Sequence, residues 1–341
     1  MRLLQLQTRE RGRRVGVVDG DTVYDLTEQN PGWDCIYKIF LEARESKKTL
    51  EEHIVRSGFR SKNLSYDYRD LLLRRPGDQE RWLLPPIDHP DMAHCMIIVT
   101  GLTHLGSVSQ RDMMHKLDDS PKTDSQKMFE MGLEGGKPGP GVRGVQPELC
   151  YKGTGKILRG PNDFLEIPPF SQDCGEEPEI VGCYIIGTDG IPYRIGFAIG
   201  NEWSDHAMER VNYLWLGQSK LRTCAIGPEL VTDQSFTDIR GYCRIFRGSQ
   251  VIYDSGQLLT GEEHMNHSLM NLEDHFFKYA QFRIPGDVCI YFLGTMKFSF
   301  GKRGLLQDDD KIEIQFEGMG SPLVNYVKRV SIQTSIRVMK G

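Results

Sequence analysis

The sequence predicts a strand-rich α+β fold in which a small N-terminal domain, residues 1–80, precedes a larger domain, residues 90–341. Short runs of β-branched and aromatic residues recur from Tyr151 onward, and most of them end at a glycine. Helical spacing of apolar residues is confined to a few segments around these runs. Residues 75–92 are rich in proline and charge, so we place the linker between the two domains there.

The N-terminal domain is predicted to begin with strands and to continue with helix. Apolar and polar residues alternate over residues 3–26, on both sides of a turn that contains glycine and arginine. The tetrapeptide Val-Asp-Gly-Asp at residues 18–21 is typical of a β-hairpin. Residues 35–74 combine helical spacing with many charges, as expected for an amphipathic helical segment.

The larger domain is predicted to be dominated by strands. A β-branched run begins at Cys95, and a methionine-rich segment with helical spacing follows from about residue 107 to residue 135. Residues 132–150 are dense in glycine and proline, which predicts an irregular and mobile loop. Residues 263–282 form a further helical segment. The strand-like runs cover residues 179–187, 193–200, 241–248, 287–294 and 310–318.

Composition and charge exclude several classes of function. A net charge of -5 and a pI near 6.0 argue against a nucleic-acid-binding surface. No stretch approaches the roughly 18 consecutive apolar residues of a membrane-spanning helix, and the N-terminus becomes charged at once. The eight cysteines contain no Cys-x-x-Cys pair, so we expect small buried side chains in a reducing compartment. These features predict a cytoplasmic protein.

Three glutamates are candidate metal ligands. Glu177 and Glu179 are separated by one residue at the start of a strand-like run, so both side chains are expected on the same side of the strand. Two like charges held together need a cation. Glu202 follows another strand that ends in glycine, and it can complete an all-oxygen site for Mg²⁺, Mn²⁺ or Ca²⁺. The alternative for such an acidic pair is a solvated strand end.

These glutamates belong to a series of motifs that resembles the fumarylacetoacetate hydrolase superfamily. Members carry Glu-x-Glu, a Gly-(Tyr/Phe) strand that ends in Asn-Asp-x-Ser, and then Gly-Pro, Pro-Gly-Asp and Gly-Thr. The six motifs match in order over about residues 95–330, and the corresponding residues are Glu177-Pro178-Glu179, Gly196-Phe197, Asn201-Glu202-Trp203-Ser204, Gly227-Pro228, Pro285-Gly286-Asp287 and Gly294-Thr295. The resemblance implies a mixed β-roll catalytic domain with a metal on three carboxylates, commonly preceded by a small N-terminal domain and usually part of a homodimer.

The third metal ligand departs from the family pattern. The family normally has Asp at this position, whereas this chain has Glu202. The added methylene moves the carboxylate outward by one bond, which a flexible site of oxygen ligands can absorb. Asp205 is the alternative ligand, although we expect it to begin a helix or to support the ligands from behind.

A second departure concerns the type of reaction. Carbon–carbon hydrolases of the family activate water with a His-Glu pair, and Ser107 and Gln110 stand at the corresponding positions of this chain. A free serine hydroxyl is a poor base and glutamine does not titrate. His104 lies three residues earlier, and it either approaches the metal from another direction or is a hydrogen-bonded loop histidine. We predict a catalytic role for His104 and a substrate contact for Ser107.

The absence of the His-Glu pair favours dehydration over hydrolysis. The sequences at residues 103–107, 175–180, 201–206 and 219–230 resemble the sugar-acid branch of the family, whose members dehydrate 2-keto-3-deoxy acids. A 2-keto acid would chelate the metal, which would stabilise the enolate formed when a C3 proton leaves, and the C4 hydroxyl would then be eliminated. The expected substrate is a 2-keto-3-deoxy-pentonate of the arabinonate type.

Two other functions remain open. The first is a metal-dependent hydrolase or decarboxylase of acylpyruvates, other 2,4-diketo acids or oxaloacetate, in which His104 or another base replaces the lost pair. The second is a non-catalytic protein that binds sugar acids, although the presence of Glu177, Glu179, Lys220 and Thr295 argues against it.

Further residues of the active site are carried over from the resemblance. Lys220 is assigned across an assumed two-residue gap, and it would bind the carboxylate or keto oxygen or shuttle the proton. Thr295 would donate its hydroxyl to the substrate carboxylate, and Gly294 would let the backbone approach closely. Lys152 and Thr154 resemble a strand that enters the site. The alternatives are a surface lysine for Lys220, a strand-end threonine for Thr295 and a turn for the last pair.

A second group of residues with metal-ligand chemistry is interpreted as structural. Glu262, Glu263, His264 and His267 open the helical segment before residue 269. Acidic residues at that position stabilise the positive end of a helix and need no metal.

Overall fold

The computed structural model of the protein describes residues 1–61, 64–78, 80–115, 122–331 and 336–341. Its strands are β1 (Arg2–Thr8), β2 (Gly12–Asp19), β3 (Thr22–Asp25), β4 (Ser65–Asp67), β5 (Arg81–Leu83), β6 (Cys95–Val99), β7 (Cys150–Thr154), β8 (Leu158–Arg159), β9 (Phe164–Ile167), β10 (Cys174–Ile186), β11 (Pro192–Asp205), β12 (Cys224–Val231), β13 (Ile239–Arg247), β14 (Gln250–Asp254), β15 (Leu258–Thr260), β16 (Val288–Phe292), β17 (Lys311–Phe316) and β18 (Leu323–Arg329). Its α-helices are α1 (Ile36–Glu45), α2 (Leu50–Arg56), α3 (Tyr68–Leu73), α4 (Leu105–His115), α5 (Asp124–Gly135), α6 (His206–Val211), α7 (Leu216–Ser219) and α8 (Leu269–Phe277).

The strands form two mixed sheets, which confirms the predicted strand-rich α+β fold. The larger sheet has the order β4-β3-β2-β1-β12-β11-β10-β16-β6-β7, with β5 paired to β1 and β8 paired to β12. The smaller sheet has the order β14-β13-β17-β18-β9, with β15 paired to β13. Within the described ranges, no helix is long and apolar enough to cross a membrane.

The N-terminal region extends the larger sheet. The hairpin predicted around residues 18–21 joins β2 to β3, and Gly20 has a φ of +59°, which glycine adopts without steric cost. Strand β1 pairs with β12, where Leu3 lies opposite Leu230. One apolar cluster therefore contains residues from both predicted domains. The division at residues 80–90 stays a prediction.

The elements of the larger region follow the sequence pattern closely. The five strand-like runs lie in β10, β11, β13, β16 and β17. The segment predicted helical from about residue 107 contains α4 and α5, although residues 116–121 lie outside the described part of the chain. Residues 136–149 contain neither helix nor strand, as the glycine and proline content predicts. The mobility of this loop stays a prediction.

Strands β10 and β11 are long and deeply buried. Every residue of β10 is buried, and β11 is buried from Ile195 to its end. One apolar cluster joins the two sheets and includes Ile180, and a second cluster joins β10 to α1 and includes Val181. Because β10 is buried on both faces, each charged side chain that it carries must find partners inside the protein.

Candidate metal centre and active site

Strands β10 and β11 bring the three predicted metal ligands together. The strands are antiparallel, and Glu177 lies directly opposite Glu202. Glu179 follows two residues later on the same face of β10. One carboxylate oxygen of each residue lies within 4.8 Å of the other two, and all three residues are buried. The expectation that the acidic pair stands at the start of a strand was wrong, because both residues lie inside β10, and the alternative of a solvated strand end is excluded.

Burial makes this group of carboxylates dependent on positive charge. Burial raises the pKa of Glu179 well above the usual value of a glutamate, and the charges of Glu202 and Glu177 raise it further. The backbone N–H of Gly294 donates to Glu179 Oε2 over 2.7 Å. Glu179 Oε1 is buried and has no hydrogen-bond partner among the described residues. An unpaired oxygen beside two further carboxylates is the donor set that a hard divalent cation requires.

Lys220 supplies positive charge to the group. Its Nζ lies 2.5 Å from Glu177 Oε1 and 3.3 Å from Glu202 Oε2. The same atom donates to Ser204 Oγ over 3.0 Å. Lys220 is 3% exposed, so the alternative of a surface lysine is excluded. Lys220, which the sequence analysis assigned across an assumed two-residue gap, therefore lies against the carboxylates.

His206 is a neighbour of the site that the sequence analysis did not single out. Its Nε2 lies 3.2 Å from Glu177 Oε1, and its ring stacks on Phe298 with a centroid distance of 4.4 Å and an interplanar angle of 5°. Asp205 caps the helix that begins at His206 by accepting from the backbone N–H of Met208, as expected for a helix-start carboxylate. The signal in the sequence that could have identified His206 is its position two residues after Ser204, at the end of the stretch 201–206.

Lys152 is buried beside Glu202, and its ammonium is bound by protein atoms. Its Nζ donates to the backbone carbonyls of Trp203 and Lys220 over 2.8 and 2.7 Å, and it lies 3.4 Å from Glu202 Oε1. Its side chain is completely buried. These contacts favour a role in holding Glu202 and the backbone at Lys220. Thr154 lies at the end of β7 opposite Met96, and a substrate contact for either residue stays a prediction.

We expect Lys152→Met to reduce the free energy of unfolding by about 3–5 kcal/mol, because it removes one of the two ammonium groups beside the buried Glu202 and leaves the carbonyls of Trp203 and Lys220 without this donor. Urea denaturation of the metal-free protein measures this change. The exposed Lys156, in the turn that follows the same strand, supplies the control variant Lys156→Met, which should unfold like the wild type. A loss below about 1 kcal/mol for Lys152→Met would contradict the bonding described above.

Gly294 and Thr295 form the loop that faces Glu179. Gly294 has a φ of +94°, and a Cβ atom there would lie 2.1 Å from Thr103 Oγ1, so this position requires glycine. The hydroxyl of Thr295 lies 3.0 Å from the carbonyl oxygens of Pro178 and Lys297. The threonine therefore supports the backbone beside Glu179, and donation to a substrate carboxylate stays a prediction.

The segment around α4 contains hydrogen-bonded side chains at the three positions considered for a base. His104 Nδ1 lies 2.9 Å from Thr103 Oγ1 and its Nε2 lies 3.2 Å from Thr260 Oγ1. Ser107 donates to the carbonyl of His104. Gln110 bonds to both backbone groups of Phe298. These contacts favour an anchoring function for all three residues, and the proposed catalytic role of His104 and substrate contact of Ser107 stay predictions.

Burial of His104 predicts a dependence of stability on pH. Desolvation lowers the pKa of His104 to about 3 from its usual 6.5. Below pH 6.5, His104 binds a proton in the unfolded chain but not in the folded chain. The free energy of unfolding therefore falls as the pH drops below 6.5. This group alone should reduce the free energy of unfolding by about 2 kcal/mol between pH 7.5 and pH 5. Urea denaturation across this range measures the effect.

His104→Gln keeps hydrogen-bonding atoms but cannot be protonated, so we expect its stability to fall less steeply with acid. His89→Gln is the control, because His89 is not fully buried, and it should keep the wild-type slope. Equal slopes for wild type and His104→Gln would contradict the prediction, because they would show that folding does not lower the pKa of His104.

The second acidic group lies outside the active site. His264 Nε2 lies 2.8 Å from Asp238 Oδ1, and Glu263 completes a largely exposed group that could hold an ion. Glu262 accepts from the backbone N–H of Leu269 at the start of α8, as expected for an acidic residue near a helix N-terminus. His267 Nδ1 lies 3.0 Å from the side-chain amide of Asn271. These contacts support a structural role.

Comparison with curated proteins identifies two relatives, and no family model matches the chain. A probable 2-keto-3-deoxyxylonate dehydratase from Haloferax volcanii is 28% identical over 185 residues, which cover 52% of this chain and 58% of the relative. Oxaloacetate tautomerase fahd2, a mitochondrial protein from Xenopus laevis, is 23% identical over 252 residues, which cover 70% of this chain and 64% of that protein. The chain thus matches less than two thirds of the length of either relative.

Solved structures match nearly the whole chain. The 2-keto-3-deoxy-D-arabinonate dehydratase complexed with magnesium and 2,5-dioxopentanoate has a TM-score of 0.69 and 20% identity, with 97% of this chain and 99% of that chain covered. A fumarylacetoacetate hydrolase from the psychrophilic Exiguobacterium antarcticum has a TM-score of 0.59 and 18% identity, with 97% and 100% covered. Maleylpyruvate hydrolase from Sphingobium sp. SYK-6 has a TM-score of 0.57, 14% identity and the same coverage.

Proposed function

The chain has the fold of the fumarylacetoacetate hydrolase superfamily, as its sequence motifs predicted, and from this premise we propose that it is a divalent-metal-dependent lyase. The reaction is the dehydration of a 2-keto-3-deoxy sugar acid, with a 2-keto-3-deoxy-pentonate as the expected substrate. The dehydratase names of the Haloferax volcanii relative and of the solved arabinonate enzyme support this choice.

The observation that carries the proposal is the convergence of Glu177, Glu179 and Glu202 in a buried position beside Lys220. The unpaired Oε1 of Glu179 and the all-oxygen donor set fit Mg²⁺ or Mn²⁺, with Ca²⁺ as a further candidate. The magnesium in the solved arabinonate enzyme supports Mg²⁺. When bound, the ion would polarise the 2-keto group of the substrate and stabilise negative charge on its oxygen.

The residues around the carboxylates supply the remaining chemistry. Lys220 is the candidate to bind the substrate carboxylate or keto oxygen, or to move the C3 proton, because its ammonium contacts the glutamates that would hold the metal. The proton lost from C3 and the hydroxyl then lost from C4 add up to one water molecule. Gly294 holds Glu179 through its backbone N–H, and Thr295 holds the carbonyl of Pro178 between the two ligands of β10.

The contacts of Ser107 and Gln110 favour dehydration over hydrolysis. Hydrolysis of a carbon–carbon bond needs a base that activates water. Ser107 donates to a helix carbonyl and Gln110 is bound to the backbone of Phe298, so neither side chain is available for that task. The hydrolases that share the fold keep hydrolysis of a 2,4-diketo acid as the second candidate.

Two broader properties belong to the same proposal. We expect a homodimer, as the family resemblance implies, and gel filtration with light scattering measures this. We also expect the protein to work in the cytoplasm, since seven of the eight cysteines are buried and the sequence contains no Cys-x-x-Cys pair.

The test is a turnover assay of purified protein that has been stripped of metal with a chelator. The protein is incubated with 2-keto-3-deoxy-arabinonate or with an acylpyruvate, each with and without Mg²⁺ or Mn²⁺, and products are identified by mass. We expect loss of one water from the sugar acid only when metal is present. Cleavage of the acylpyruvate alone would instead establish the hydrolase, and stabilisation by the sugar acid without turnover would indicate a binding protein.

A further inference from the structure

The ammonium of Lys220 lies near a carboxylate that is not part of the metal group, which consists of Glu177, Glu179 and Glu202. Its Nζ contacts Glu177 and Glu202, and Glu209 Oε1 lies 3.8 Å away. Glu209 is not one of the three carboxylates that converge on a common point. Lys220, Glu209 and the two glutamates are all buried. Lys220 thus stands between the candidate metal ligands on one side and Glu209 on the other.

Local structure fixes Glu209 in this position. Glu209 lies on α6, three residues after His206, and residues at this spacing share one face of a helix. His206 contacts Glu177 on that face. The hydroxyl of Ser219 lies 2.6 Å from Glu209 Oε1, and Ser219 immediately precedes Lys220. The helix therefore presents Glu209 to the same lysine that the metal group attracts.

A bound cation changes the balance of charge around Lys220. Without metal, Glu177 and Glu202 carry the negative charge that holds the ammonium. With a divalent cation on these oxygens, their charge is neutralised, and the cation repels the ammonium across a short distance in a buried site. A buried ammonium needs a charged partner. Glu209 is a carboxylate within 4 Å that is outside the metal group.

We propose that Glu209 is the counterion that holds Lys220 in the metal-loaded protein, an inference that rests on the proposed metal-dependent function. In this role Glu209 is a positioning residue. It receives the ammonium when the metal takes Glu177 and Glu202, and it keeps Lys220 close to the bound substrate. Metal binding and the position of Lys220 are thereby coupled through one carboxylate.

The experiment is a double-mutant cycle read by Mn²⁺ affinity, which needs no turnover. Chelator-stripped wild type, Glu209→Gln, Lys220→Met and the double variant are titrated with Mn²⁺ and followed by electron paramagnetic resonance. We expect Glu209→Gln to weaken Mn²⁺ binding by about tenfold, because Lys220 then stays on Glu177 and Glu202 and competes with the ion. We expect Lys220→Met to tighten binding, and Glu209→Gln to have little effect in the Lys220→Met background.

Further variants separate this role from a structural one. Glu209→Asp keeps the charge and should recover part of the affinity, whereas Ser219→Ala releases the carboxylate and should weaken binding in the same direction as Glu209→Gln. Glu263→Gln is the control in the second acidic group. Wild-type affinity in Glu209→Gln, or an equal weakening with and without Lys220, would overturn the proposal. Coupling without dehydration would leave the inference standing and reject the assigned reaction, and absence of Mn²⁺ binding by the wild type would overturn both.

Discussion

Replacement of Glu179 by glutamine should abolish metal-dependent turnover. The variant keeps the size of the side chain, and its amide oxygen can accept from the backbone N–H of Gly294, which leaves the NH₂ group at the unpaired Oε1 position. It also removes one of the three charges that attract the ion. We expect metal affinity to fall by at least about 100-fold, because even changes to residues behind metal ligands cost 10- to 100-fold. Turnover at fixed Mg²⁺ should fall by about 1,000-fold or more, since a Lewis-acid metal lowers the activation barrier by several kcal/mol.

The stability of this variant should change in the opposite direction. Without metal, burial and two neighbouring charges make an ionised Glu179 costly, and a neutral glutamine avoids this cost. We therefore expect metal-free Glu179→Gln to unfold at an equal or higher urea concentration than the wild type, which excludes misfolding as the cause of lost turnover. Glu263→Gln, in the exposed acidic group, should keep wild-type activity. Metal-dependent turnover that survives in Glu179→Gln would contradict the assigned site.

Replacement of Lys220 by methionine should separate catalysis from metal binding. The ammonium lies 2.5 Å from Glu177 Oε1, where it competes with the ion, and it is also the candidate to bind substrate or move a proton. We expect kcat to fall by about 100- to 10,000-fold, the range that one group in acid–base catalysis contributes. Metal affinity should increase, because the competing ammonium is gone. Steady-state kinetics with titrated Mg²⁺ measures both quantities on one preparation.

The matched control for this variant is Lys302→Met, which changes an exposed lysine. It should leave kcat, KM and metal affinity at the wild-type values. The assignment of Lys220 is contradicted if Lys220→Met loses metal affinity together with turnover, because the lysine would then support the ligands rather than act on the substrate. Lys220→Arg keeps the charge but not the compact ammonium, so we expect it to rescue little activity.

Much of the fold and the core of the site could be predicted from local sequence patterns. Runs of β-branched and aromatic residues that end at a glycine located β10, β11 and β16, because strands buried on both faces are rich in such residues. The one-residue spacing of Glu177 and Glu179 was sufficient to place both carboxylates on one face. The resemblance then linked Glu202 to them. Its position opposite Glu177 depends on the register of two strands, which spacing alone does not determine.

The supporting residues could not be predicted because their roles depend on contacts between distant segments. Lys152 resembled a substrate-binding residue, yet its ammonium is bound by the carbonyls of Trp203 and Lys220. His206 and Glu209 lie on a helix of six residues, too short to show an amphipathic pattern. Their function becomes evident only when α6 is placed beside Glu177 and Lys220.

The most direct test of the metal site is a crystal structure of the protein soaked with Mn²⁺ and examined by anomalous scattering. We predict one strong peak within about 2.5 Å of a carboxylate oxygen of each of Glu177, Glu179 and Glu202. A peak only at Asp238, Glu263 and His264, or none beside the three buried glutamates, would contradict the site on which the proposed dehydratase depends.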